Sequence, residues 1–129
     1  MNTPILPPTM APPAANYVHA MLSTEASRIL HTSGVVPTAP DGTTPTDIAE
    51  QAAVVWRNID ALLVEADMSM SNIVSITTYV VVDRLASLGL VMAARDAAMS
   101  GHRAASTLVT VPALARPEWQ MEIAVVAVA

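Results

Sequence analysis

The residues with chemistry to offer gather in two segments near the C-terminus. "GHRAASTLVTVPAL", Gly101 to Leu114, sets His102 and Arg103 ahead of a strand-like run that carries hydroxyls and no charge. The terminal "MEIAVVAVA" holds one carboxylate, Glu122, between Met121 and Ile123. A carboxylate in such an apolar run is costly to bury without a partner or a task, although strand alternation also permits an edge glutamate that faces water. Ser106 and Thr107 could donate hydrogen bonds to a ligand or be ordinary strand hydroxyls, and only one of the two can point to a given face. Arg103 lies about 10 Å from Ser106 along a strand, so a surface or intersubunit role is expected for it. Arg116 and Trp119 flank Pro117 in a loop, where the indole could cover an apolar ligand or pack in an interface. His19 and His31 read as structural histidines, with His19 placed to share a strand face with Tyr17.

Several chemistries are missing their residues. The chain has no Cys and no Lys, since all six basic residues are Arg, which excludes thiolate and Schiff-base catalysis and a lysine-anchored cofactor. The three His show no HxxxH or HxH spacing and no phosphate-cradling glycine loop is present, so neither a metal nor a cofactor is expected. A net charge of −5 makes nucleic acid a poor partner. With 53% hydrophobic residues, 13% charged and a mean hydropathy of +0.46, the chain is more apolar than a soluble monomer needs, which points to surface buried against another subunit. Apolar runs fall short of the roughly 18 residues of a membrane span. "MNTPILPPTMAPPAA" lacks a basic start and is broken by prolines, unlike a signal peptide, so the cytoplasm is the default location.

The elements that must position these residues follow from periodicity. Five of the ten prolines fall in residues 1–16, which read as an extended arm ahead of one domain, 17–129. Tyr17 to Ser23 and Ser27 to Val36 flank a polar turn and predict a β-hairpin. Ile48, Ala52, Val55, Ile59, Leu62 and Ala66 recur at helical spacing, with Thr46 or Asp47 as cap. Asn72 to Val82 predicts a buried strand, Leu85 to Ser100 a second helix, and Ala104–Val111 and Gln120–Ala129 two further strands. The order β-β-α-β-α-β-β predicts an α+β domain, a mixed sheet with both helices on one face and the other face closed by oligomerisation.

"NYVHAM", "HTSGVVPTAPDG", "DIAEQAAVVWRNIDALLVEA", "GHRAASTLVTVPAL" and "MEIAVVAVA" stand in one order that resembles the Rid (reactive intermediate deaminase, YjgF-like) family from Tyr17 onward. The resemblance implies a chorismate-mutase-like fold, a homotrimer with clefts between subunits, and cofactor-free hydrolysis of enamines and imines to ketone and ammonia. It implies that Tyr17 lines the pocket, that Gly34 allows close approach of backbone to ligand, that Glu122 positions or deprotonates the attacking water, and that main-chain groups near Leu108 orient ligand and water.

Two matches depart from the family pattern. An ungapped alignment to the family's "HRPARSTVEV" segment puts Ser106 where an Arg grips the substrate carboxylate. The family's Asn in the second helix falls at Met92, or at Val91 if the gap is moved. A pocket so changed is less cationic, and its ligand is expected to differ from the archetypal 2-imino acid. The resulting expectation is an enzyme that hydrolyses or tautomerises a small imine, enamine or related intermediate. Glu122 would be its acid-base group, with Tyr17, Gly34, Ser106, Leu108, Met92 and Trp119 around the ligand. A non-catalytic binding trimer is the alternative, and a ribonuclease the third.

Overall fold

An apolar stripe on one helix organises the molecule. In a computed structural model, which describes residues 1–129, α1 (Ile48–Glu65) buries Ile48, Ala52, Val55, Trp56, Ile59 and Leu63. Asp47 is its cap, accepting a hydrogen bond from Glu50 N at 3.1 Å and so satisfying one of the free N–H groups of the first turn. No basic residue lies in its last turn, but Arg28 reaches the carbonyls of Ala66 and Asp67 at 2.7 and 3.3 Å and supplies cationic donors to the helix C-terminus.

Behind α1 lies a four-stranded sheet in the order β3 (Ile29–His31), β6 (Met121–Val128), β4 (Ile73–Val81), β5 (Ala105–Val111). Only the β4–β5 pair is parallel, joined by the crossover helix α2 (Leu88–Met99). Alternation along the strands assigns the two faces. Ile76, Thr78, Val80, Met121, Ile123 and Val125 are buried under the helices, whereas Ser75, Thr77, Tyr79, Glu122, Ala124 and Val126 are half-buried on the bare face. The architecture is thus the expected α+β arrangement, with one uncovered sheet face.

The predicted hairpin does not form. The turn is there, with Glu25 at φ 54°, but it sends the chain apart rather than back on itself. β3 pairs with β6 instead, and β2 (Ala20–Ser23) pairs with β1 (Asn2–Ile5), a strand that the proline count of the arm conceals. Pro4 is tolerated because β1 pairs on one side alone, where a missing N–H costs nothing. Asn2–Ile5 of the arm are therefore a paired strand. Asn2 Nδ2 donates to Val128 O at 3.0 Å and Val18 N to Ala104 O at 3.1 Å, so the β1–β2 ribbon crosses the end of the sheet where β6 finishes and β5 begins. A six-residue 3-10 segment, Val82–Ser87, precedes α2, so the second helix starts three residues later than its periodicity predicts.

One buried polar side chain ties these layers together. Gln51 is fully buried, yet its Nε2 donates to the carbonyls of Pro45 and Glu118 at 2.7 and 2.8 Å, and its Oε1 accepts from Gln120 N at 2.9 Å. Every polar atom of its amide head has a partner, which is the condition for burying it without penalty. The clamp fixes the start of β6 two residues before Glu122.

Candidate active site

Glu122 opens the bare face of β6. It lies opposite Tyr79 of β4, half-buried, and neither of the chain's two salt bridges involves it. The backbone at Gly34 passes directly against its carboxylate: a Cβ built on Gly34 would overlap Glu122 Oε2 and stand 2.9 Å from Cδ. A side chain at residue 34 would have to displace the Glu122 carboxylate from this position. The close approach at Gly34 is thus to Glu122, whereas the resemblance implies an approach to ligand, and Val35 and Ile123 exchange backbone hydrogen bonds of 2.7 and 3.1 Å that hold the two segments in register. Tyr79 escapes notice in the sequence because it stands in a run of strand formers, and only the register shows it to be the cross-strand neighbour of Glu122.

Tyr17 belongs to the other end of the sheet. It immediately precedes Val18, which bridges to Ala105 at the start of β5, and its ring meets His19 edge-on at 6.2 Å between centroids. Ala105 and Glu122 are separated by two strand spacings and by the four residues from Ala105 to Val109, the partner of Tyr79. At ordinary strand geometry that is about 16 Å. One chain thus brings Gly34 to Glu122 but does not bring Tyr17 to them.

The strand register also decides which neighbour of Tyr17 faces the site. Ser106 pairs with buried Ile76 and turns into the helix layer, where its Oγ stands 3.5 Å from Arg95 Nη1. Ala105 pairs with Ser75 and shares the bare face with Glu122. Leu108 also turns toward the helices, but β5 is an edge strand whose outer main-chain side meets only the Val18 bridge, leaving the groups around Leu108 without a ladder partner in the chain. Met92 sits half-buried on α2 in the helix layer. Trp119 precedes β6 with Arg116 over its ring at 5.4 Å and its indole N–H hidden without an acceptor.

The larger concavities lie elsewhere. A groove of about 720 Å³ beside Trp56 runs along the helices, and one of about 440 Å³ beside Gly34 opens toward Asn58 and Leu62 of α1. Neither contains Glu122 or Tyr17. No three His, Cys, Asp or Glu side chains converge to hold a metal ion, and no helix is long and apolar enough to cross a membrane.

This constellation can be set against known proteins. The model of the Endoribonuclease L-PSP family matches residues 8–129. The chain belongs to this family, also known as the Rid or YjgF family. YyfB of Yersinia pestis, a Rid-family protein of unknown function, is 30% identical over 99% of this chain and 98% of its own, with a TM-score of 0.90. The YjgF gene product of Escherichia coli is 28% identical over 90% of each chain, with a TM-score of 0.71. Mitochondrial Mmf1 of Saccharomyces cerevisiae is 32% identical over 78 residues, which is 60% of this chain and 52% of that protein. The likeness to YyfB supports the Rid fold over 99% of the chain.

Proposed function

We propose that the chain is a cofactor-independent Rid-type enzyme that hydrolyses or tautomerises a small imine or enamine in a cleft between two copies of a cytoplasmic homotrimer. One copy supplies Glu122, seated on Gly34, and its neighbour supplies Tyr17 and Ala105. The carrying observation is the about 16 Å that separates these two groups within one chain, on a sheet whose bare face needs a cover. In hydrolysis, Glu122 takes a proton from water as the oxygen adds to the C=N carbon and returns it to the nitrogen, and the same carboxylate then carries the hydroxyl proton of the adduct to the nitrogen as the C–N bond breaks and the C=O bond forms. Imine and water become ketone and ammonia, and the balance needs no electron acceptor. With Ala105 on the site side of β5 the cleft carries no cation there, which favours neutral or apolar imines over those with a carboxylate.

The deciding assay gives the wild-type protein freshly generated neutral imines, 2-imino acids and, separately, single-stranded RNA. Ammonia or tautomer formation with intact RNA is expected. RNA cleavage without turnover of any imine would replace this reading with the endoribonuclease activity in the family's name.

A further inference from the structure

We propose that Asn16, Asp96 and Arg95 form a positioning relay that sets Tyr17 at the mouth of the cleft, an inference that rests on the functional reading above. Arg95 is only 7% exposed, on the same helical stripe as buried Val91 and Met99. Its Nε and Nη2 both reach Asp96 Oδ1, at 3.0 and 2.9 Å, while Nη1 stands 3.5 Å from Ser106 Oγ on β5. The second carboxylate oxygen, Oδ2, accepts from Asn16 Nδ2 at 3.0 Å. Asn16 immediately precedes Tyr17.

The chain therefore ties the tyrosine from both sides. After it, Val18 N is bonded to Ala104 O, and before it Asn16 is bonded to a carboxylate that a buried guanidinium holds still. The phenol has little else to fix it, since its oxygen meets only Ala14 N at 3.4 Å. Arg95 is buried but the Asp96 side chain is 36% exposed, and an ion pair open to water on one side contributes little net stability, so its use here is geometric. Asp96 and Asn16 touch no substrate in this arrangement. They act through Tyr17, and small misplacements of such a group are costly to rate.

The test uses the full-length protein labelled with 3-fluorotyrosine, which gives two fluorine resonances because the chain has two tyrosines. Loss of one signal in Tyr17→Phe assigns it. Asn16→Ala and Asp96→Ala are both expected to shift or broaden the Tyr17 resonance and leave that of Tyr79 in place. Each is expected to lower kcat/KM about ten-fold, mostly in kcat, and Asn16→Ala made in a Tyr17→Ala background should cost nothing further. Asp96→Asn, which keeps an acceptor for Asn16, should restore part of the rate. An unmoved Tyr17 resonance would overturn the relay, as would a moved resonance with unchanged kcat/KM. If the wild type turned over no imine, the functional reading would fall while the resonance would still decide the relay.

Discussion

Glu122→Gln is expected to lower kcat on an imine substrate by roughly 10²- to 10⁴-fold, the range for a positioned acid-base group, and to leave the fold intact. Glutamine has the size of glutamate and can occupy the same seat against Gly34, in the space that a side chain at residue 34 would otherwise contest. Neither salt bridge of the chain uses the carboxylate, so the charge is free of any structural duty that its loss would expose. The melting temperature should stay within about 4 °C of the wild type, the shift that accompanies roughly 1 kcal/mol in a domain of this size. Equal falls in kcat and kcat/KM, measured at saturating and limiting substrate, would place the loss in the transition state. A variant with wild-type kcat would remove Glu122 from the chemistry.

The second large effect is a gain. In Ala105→Arg the new guanidinium would stand at the Val18 bridge on the face that carries Glu122, and a charge-assisted bidentate contact to a substrate carboxylate adds about 1.5–3 kcal/mol. The expected result is roughly a 10- to 100-fold rise in kcat/KM for 2-imino acids, with no rise for neutral imines. Ser106→Arg should behave in the opposite way. It would force a second guanidinium into the helix layer next to Arg95, with Asp96 alone to share, and an uncompensated buried charge costs about 3–5 kcal/mol. A gain in Ser106→Arg and none in Ala105→Arg would refute the assignment of faces on β5.

That pair of variants also shows where the sequence stops being informative. Alignment by residue type puts Ser106 in the place of the family's Arg, but a slip of one residue moves a strand's whole side-chain set to the other face. Register comes from pairing, and the pairing of β5 with β4 is not visible in either segment alone. The same holds for the hairpin. β3 follows β2 after a turn and looks like its partner, yet its actual partner, β6, lies about a hundred residues away and is the longer and more apolar strand. Local signals fared better. The spacing of Ile48, Ala52, Val55 and Ile59 defines α1, although Leu62 of the same series is exposed and Leu63 is buried in its stead, with Asp47 as the cap and the β-branched run Ile73–Val81 as the central strand. The apolar excess and bare sheet face agree from two independent directions.

Arg95 is the residue the sequence could have yielded. "AARDAA" places two charges in an otherwise apolar helix, and Arg95 falls four residues from both Val91 and Met99, which puts it on the buried stripe rather than the solvent face. A charge on that stripe calls for a partner, and Asp96 is the adjacent residue. Gln51 gives a weaker form of the same signal on α1.

The central claim is that one catalytic site draws Glu122 and Tyr17 from different copies, and subunit mixing tests it most directly. Glu122→Gln and Tyr17→Phe are each prepared as inactive or weakened proteins, then dissociated, combined in equal amounts and reassembled. Shared sites predict that activity returns to about one quarter of the wild-type value, because random assortment in a cyclic oligomer pairs an intact Glu122 with an intact Tyr17 at that frequency. Mixed assemblies that remain as inactive as their parents would contradict the account and return both residues to a single chain.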